Sequence, residues 1–217
     1  VKATPLYIKW RPDAWEQVIG QPKIQRQVSV LRNRGGFGRH AFWISGKSGT
    51  GKTTIAYLIA HELAEPYNVR EVSADELTAG TLRQIEMDFR LYAFGELAGR
   101  ALIINEAHGL RRDTIRELLV WLEKLPEQTC VIFTTTVEGQ LSLFEDKIDA
   151  SPLVSRCIEL TLTNQGISKP LAKRAKEIAL AEGLDGKPIA AYMNLVADCN
   201  QNMRRVLEHV NIGEMIA

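Results

Sequence analysis

Neither sign of charge dominates this chain: 27 Lys and Arg stand against 26 Asp and Glu over 217 residues, a net of +1. A surface that is basic all over is thereby excluded. Contact with nucleic acid would have to come from a local patch or from an oligomer's combined surface. Cysteine is scarce and odd in number, and Cys130, Cys157 and Cys199 show no C-x-x-C pairing. That spacing suggests neither a disulfide framework nor a zinc site, and it fits a reducing cytoplasm best. No apolar run approaches the ~18 residues of a membrane span, and the N-terminus lacks a basic-then-apolar layout. There is no internal repeat and no low-complexity tract. What remains is an ordinary globular composition, long enough for one α/β core and a small second unit.

Against this background one stretch stands out. Residues 46–54 read G-K-S-G-T-G-K-T-T, between the apolar run Ala41-Phe42-Trp43-Ile44 and an apolar-periodic segment beginning at Lys52. The pattern is G-x-x-x-x-G-K-[ST], the phosphate-binding P-loop. Its glycines let successive backbone N–H groups point into one concavity, and the following helix adds unpaired N–H groups and a positive dipole end. Gly46, Lys47, Ser48, Gly49, Thr50, Gly51, Lys52, Thr53 and Thr54 are therefore expected to cradle ATP. Lys52 reaches the β and γ phosphates, and the Thr53 hydroxyl completes the shell of a Mg²⁺ ion that keeps most of its waters.

Residues 1–22 carry three prolines and no sustained period, which predicts an ordered arm rather than a helix. Helical spacing predicts helices over 23–34, 52–65, 81–91 and 113–124. Short apolar runs predict strands at 41–45, 69–72, 101–104, 130–134 and 158–162. Strands alternating with helices mean a parallel sheet covered on both faces, with ligand outside the carboxyl ends of the strands. After Thr163 the strand signals stop, and 168–183, 188–199 and 201–215 read as helices. The expected division is a P-loop nucleotide-binding α/β domain at 1–163 and a helical lid at 164–217.

Hydrolysis needs more than a P-loop. The run A-L-I-I-N-E-A-H ends a strand with Asn105 and Glu106, where P-loop ATPases usually carry an Asp-Glu pair. Glu106 is expected to polarise the attacking water. Asn105 is the candidate metal-side residue with Thr53, but as an amide it lacks the charge that favours Mg²⁺. His108 reads as a solvated or capping histidine.

The arm L-Y-I-K-W-R-P-D-A-W-E-Q-V-I-G-Q resembles the opening box of clamp-loader ATPase subunits, the replication factor C and bacterial DNA polymerase III gamma/tau group of the AAA+ superfamily. E-V-S-A-D-E at 71–76, S-R-C at 155–157 and N-M-R-R at 202–205 are similar to further motifs of that family, in the same order. The resemblance implies a five-stranded parallel sheet with the P-loop strand near its centre, followed by the all-α lid. It also implies that Trp10, Arg11, Val18 and Ile19 line the adenine and ribose side. Thr135, flanked by Thr134 and Thr136, would sense the γ-phosphate. Arg204, with Arg205 as the close alternative, would touch the phosphates from the lid. Arg156 would act in trans as an arginine finger in the neighbouring subunit's site.

The implied function is ATP-driven loading of a sliding clamp onto primer-template DNA by an oligomer, pentameric in the family, in the cytoplasm or on the nucleoid or in the nucleus. Two alternatives stay open: a nucleotide-holding structural subunit, and an AAA+ remodeller of recombination or replication intermediates. Arg83, Arg111, Arg112 and Arg116 would follow DNA phosphates. The competing reading is a solvated helix, because Arg112 and Arg116 alternate with Asp113 and Glu117. The zinc-holding cysteines of gamma/tau are absent, which favours the short form of replication factor C small subunits. Family members continue into a helical collar, whereas this chain ends at Ala217. The charged stretch 141–150 matches no part of the pattern.

Overall fold

Each apolar run becomes a strand of one parallel sheet. A computed structural model describes residues 4–91, 93, 95–136 and 151–216; the charged stretch 141–150 lies outside them. The elements in order are α1 (Leu6–Lys9), α2 (Pro22–Asn33), β1 (His40–Ser45), α3 (Lys52–Ala60), β2 (Val69–Ser73), α4 (Ala79–Phe89) and β3 (Arg100–Asn105). They continue with α5 (Arg112–Leu122), β4 (Thr129–Thr135), α6 (Ser151–Val154), β5 (Ile158–Thr161), α7 (Ser168–Ala181), α8 (Ile189–Asp198) and α9 (Met203–Asn211). Short 3₁₀ turns stand at Trp15–Gln17, Pro66–Asn68 and Ala107–Gly109.

By contacts the chain divides into two compact units. One holds residues 23–46 and 52–162, the other residues 1–22, 47–51 and 163–217. The unit that holds the C-terminal helices also takes the arm and the tip of the P-loop.

In the α/β unit the five-stranded sheet runs β2-β3-β4-β1-β5. All neighbours are parallel, and β1 lies one strand in from an edge while β4 is central. Side chains alternate along each strand. Trp43, Leu102, Ile104, Val131 and Phe133 share a core with Leu82 and Ile85 of α4 and with Ile115, Leu118 and Trp121 of α5. Phe42, Ile44, Ile103 and Ile132 have the opposite parity and are fully buried on the face that α3 covers. Both faces are occupied, which is why the strands read as continuous apolar runs. The register aligns Ser45 with Thr135 and Ser73 with Asn105, so the strands end level at one edge of the sheet.

The helical unit buries Leu171, Ala175 and Ile178 of α7 against Tyr192 and Val196 of α8 and Val206 and Val210 of α9, and Leu6 of α1 joins them. Leu6, the first residue of the one turn of α-helix in the arm, is the residue of that turn that is buried in this core. At the other end of the arm, the buried Gln21 amide clamps the backbone of Thr163. It donates to the Thr163 carbonyl at 2.8 Å and accepts from the Thr163 N–H at 3.1 Å. Gly20 beside it has φ +72°, and a Cβ there would lie 2.1 Å from Ile167. The I-G-Q of the arm is thus a docking device, with a glycine for close approach and an amide that imitates a strand.

Asp185 closes the α7–α8 loop. Lys176 Nζ donates to its two oxygens at 3.0 and 2.9 Å, and the Tyr192 hydroxyl donates at 2.9 Å. The Lys176 bonds above all, then Tyr192, hold the Asp185 carboxyl below its ordinary pKa. Burial pushes the Cys130 and Cys157 thiols up to about 12, and Cys199 is raised for the same reason.

Candidate functional site

The P-loop runs from the end of β1 to the start of α3, and Gly49 and Gly51 take φ +75° and +93°. Both values are open to glycine and costly for other residues. Lys52 is 8% exposed, and its Nζ donates to the Gly46 carbonyl at 3.1 Å, which closes the loop on itself. The Thr50 hydroxyl donates to the Lys47 carbonyl at 2.8 Å. Lys47 and Ser48 are exposed at the tip, whereas Thr53 and Thr54 are half-buried in the first turn of α3.

The tip carries a further contact. A Cβ on Gly49 would lie 2.1–2.5 Å from the amide atoms of Asn202. Asn202 is the N-cap of α9, and its oxygen accepts from the Arg205 N–H at 3.3 Å. The helix that carries Arg204 therefore starts against the loop. Arg204 itself is exposed, with its guanidinium 5.3 Å from the centre of the Tyr7 ring.

At the strand ends, Asn105 is held from both sides. Its nitrogen donates to Glu71 of β2, and its oxygen accepts from the Thr134 hydroxyl of β4 at 2.8 Å. Glu71 also accepts from the Tyr57 hydroxyl of α3 at 2.6 Å. The next residue, Glu106, adopts φ 53° and ψ 47°, left-handed backbone that a non-glycine residue enters at a cost of about 1–2 kcal/mol. Its carboxylate is more than half exposed and lies 3.6 Å from His108 Nδ1. The same nitrogen is 3.3 Å from the hydroxyl of Thr135, a fully buried residue. That hydroxyl also donates to the Thr136 carbonyl at 3.2 Å. The structure thus separates the neighbours that the sequence left interchangeable: Thr134 serves Asn105 on the α3 face, and Thr135 serves His108.

His108, which reads as a solvated or capping residue in the sequence, joins the expected base to the expected sensor. Its signal lay in the same N-E-A-H run. Glu71 opens the E-V-S-A-D-E run, but its pairing with Asn105 carried no comparable signal, because only the β2–β3 register brings the two together.

A divalent ion here would have the Thr53 hydroxyl and the Asn105 amide oxygen as its protein donors. Among the described residues no three His, Cys, Asp or Glu side chains cluster into a metal cage. The donor set fits Mg²⁺, which keeps its waters and takes phosphate oxygens for most of its shell.

The remaining expected residues have the following surroundings. Trp10 donates its indole N–H to Glu182 at 2.6 Å, and Arg174 lies 5.5 Å from its ring centre. Arg11, Val18 and Ile19 are half-buried in the arm. Ile19 lines a cavity of about 330 Å³ with Pro170, Lys173 and Arg174. Arg156 follows α6, where it donates to the Pro152 carbonyl at 2.9 Å and to Glu123 at 2.7 Å. Arg83 is ion-paired with Glu117, which raises its pKa through that hydrogen bond. Arg111, Arg112 and Arg116 are exposed at and along the start of α5.

The family model for the ATPase family associated with various cellular activities (AAA) matches residues 42–159, from β1 through β5. The chain belongs to the AAA family. Among curated relatives of this AAA chain, the Escherichia coli DNA polymerase III subunit tau is 30% identical over 178 residues, 71% of this chain and 26% of that protein. The Pyrobaculum arsenaticum replication factor C small subunit 1 is 26% identical over 211 residues, 94% of this chain and 60% of that one. This AAA chain therefore spans about a quarter and three fifths of their lengths. Among solved structures, the RuvB Holliday junction branch migration motor of Thermotoga maritima superposes with a TM-score of 0.73. It is 25% identical, and the match covers 93% of this chain and 64% of that one. The kinship joins this AAA chain to DNA polymerase III tau and replication factor C small subunits, and its fold, a five-stranded parallel P-loop sheet followed by helices, is that of the AAA ATPases.

Proposed function

We propose that this AAA chain binds Mg²⁺-ATP and hydrolyses it as one subunit of a clamp-loading oligomer that places a sliding clamp on primer-template DNA. Lys52 and the loop amides grip the β and γ phosphates, and Arg204 adds charge from α9. Glu106, steadied by His108, orients the attacking water, and Thr135 reports on the γ-phosphate. Arg156 completes the neighbouring subunit's site. Trp10, Arg11, Val18 and Ile19 border the base and ribose, while Arg111, Arg112 and Arg116 follow DNA phosphates. Arg83 contributes less, since Glu117 already offsets its charge. A replicating compartment, cytoplasmic or nuclear, follows from that role.

The observation that carries the reading is the kinship to gamma/tau and replication factor C subunits together with the surface setting of Arg156 in S-R-C. A finger that acts on a neighbour has to lie outward and be released easily. Its pairing with the largely exposed Glu123 is worth only about 0–1 kcal/mol. The test is ATP turnover of the assembled complex with and without clamp and primed DNA. Stimulation is expected, and its absence in an intact complex would reject the proposal.

The likeness to RuvB favours a second reading, a remodeller of recombination intermediates. Such a protein works without a clamp, so capture of the clamp by the complex, against stimulation by four-way junction DNA alone, separates the two.

A further inference from the structure

Position 105 carries an amide where the metal side of a P-loop site calls for negative charge, and the structure places a carboxylate directly behind that amide. Asn105 Nδ2 donates to Glu71, which also takes the Tyr57 hydroxyl at 2.6 Å. Tyr57 lies one helical turn after Thr53 on α3, so the chain of bonds ends on the same helix stripe as the Thr53 hydroxyl. On its other side, Asn105 Oδ1 accepts one bond among the described residues, from Thr134 at 2.8 Å. A carbonyl oxygen has two lone pairs, so one is left for a metal-bound water.

We propose that Glu71 is a positioning residue that supplies, through the Asn105 amide, the negative charge that Mg²⁺-nucleotide requires at this site. The inference rests on the nucleotide-binding reading above. Two physical effects support it. A carboxylate accepting from Nδ2 polarises the amide and makes Oδ1 a stronger acceptor. It also fixes the amide's rotation, because an oxygen turned toward Glu71 would meet a carboxylate with no proton between them. The same geometry has a counter-intuitive consequence. An aspartate at 105 would set two carboxylates against each other, so the change that looks like a repair of the site would disturb it.

The experiment is a titration of the whole chain with a fluorescent ATP analogue, with Mg²⁺ varied and with Mg²⁺ chelated, together with melting temperatures. Glu71→Gln keeps the size of the side chain and its acceptor oxygen but removes the charge. It is expected to raise the Mg²⁺ concentration needed for binding by ~10-fold or more, with the Mg²⁺-free affinity unchanged. A residue that only bridged strands would move the melting temperature and leave the Mg²⁺ requirement alone. Asn105→Asp alone is expected to raise the requirement too, whereas the double variant Glu71→Gln with Asn105→Asp brings it back toward the parent. A Glu71→Gln protein with the parent's Mg²⁺ dependence would overturn the proposal. So would an Asn105→Asp protein that needs less Mg²⁺, and that arm decides if Glu71→Gln does not fold. Failure of the parent to bind nucleotide at any Mg²⁺ level would instead remove the P-loop reading, and this inference with it.

Discussion

Glu106 sits in left-handed backbone without being glycine, between a strand end and a 3₁₀ turn that carries His108. Strain of that kind survives where the surroundings over-determine it, and here it aims a carboxylate at the end of the sheet. Glu106→Gln is expected to lower ATP turnover by ~10²-fold or more while nucleotide affinity stays unchanged. His108→Ala should give a smaller fall in kcat, again without a change in affinity, because it removes an orienting contact and not the base. Single-turnover hydrolysis beside equilibrium binding checks both. At the loop, Gly49→Ala combines left-handed strain of about 1–2 kcal/mol with a collision at Asn202, and a titration should show weakened nucleotide binding. The P-loop and the Asn105-Glu106 pair were legible in the sequence because their chemistry is fixed by spacing along one chain. Glu71 was not, since its partner is set by strand register, a property of two segments far apart in sequence.

At the scale of elements, the apolar runs foretold the five strands to within a residue or two because both faces of the sheet are covered. Helix ends were less legible. Periodicity carries α3 to residue 65, yet the helix stops at Ala60. There Leu63 gives its carbonyl to the Gly99 N–H at 3.1 Å, and Ala64 pairs with Ala98. A tertiary contact thus ends the helix before Pro66 does. In the helical unit the α7–α8 loop depends on Asp185. Its folded pKa lies below the ordinary 3.8, so its contribution is present above that value and is lost as pH falls through the depressed one. Asp185→Asn is expected to lower the melting temperature at neutral pH and to converge with the parent in strong acid. Thermal melts across a pH series would show the convergence.

For the whole molecule, turnover is expected to belong to the assembly. Arg156→Ala should leave nucleotide binding by the isolated chain intact and reduce ATP hydrolysis by the assembled complex ~10³-fold or more. Equal loss in the isolated chain and the complex would mean that Arg156 acts within its own subunit. The S-R-C tripeptide was legible as a motif. Its resting partner Glu123 was not, because that contact depends on α5 ending beside α6.

Cys157, the last residue of that tripeptide, donates its thiol to the Leu153 carbonyl at 3.2 Å and is held with a pKa of about 12. Cys130 is equally raised, and Cys199 lies above its ordinary value. At neutral pH none of the three offers an appreciable thiolate, the species that reacts with maleimides and iodoacetamides. The native chain is therefore already a quiet background for thiol chemistry. A single cysteine placed at an exposed position such as Tyr67 would take up a fluorophore alone, and subunit arrangement could be followed without first stripping out the natural cysteines.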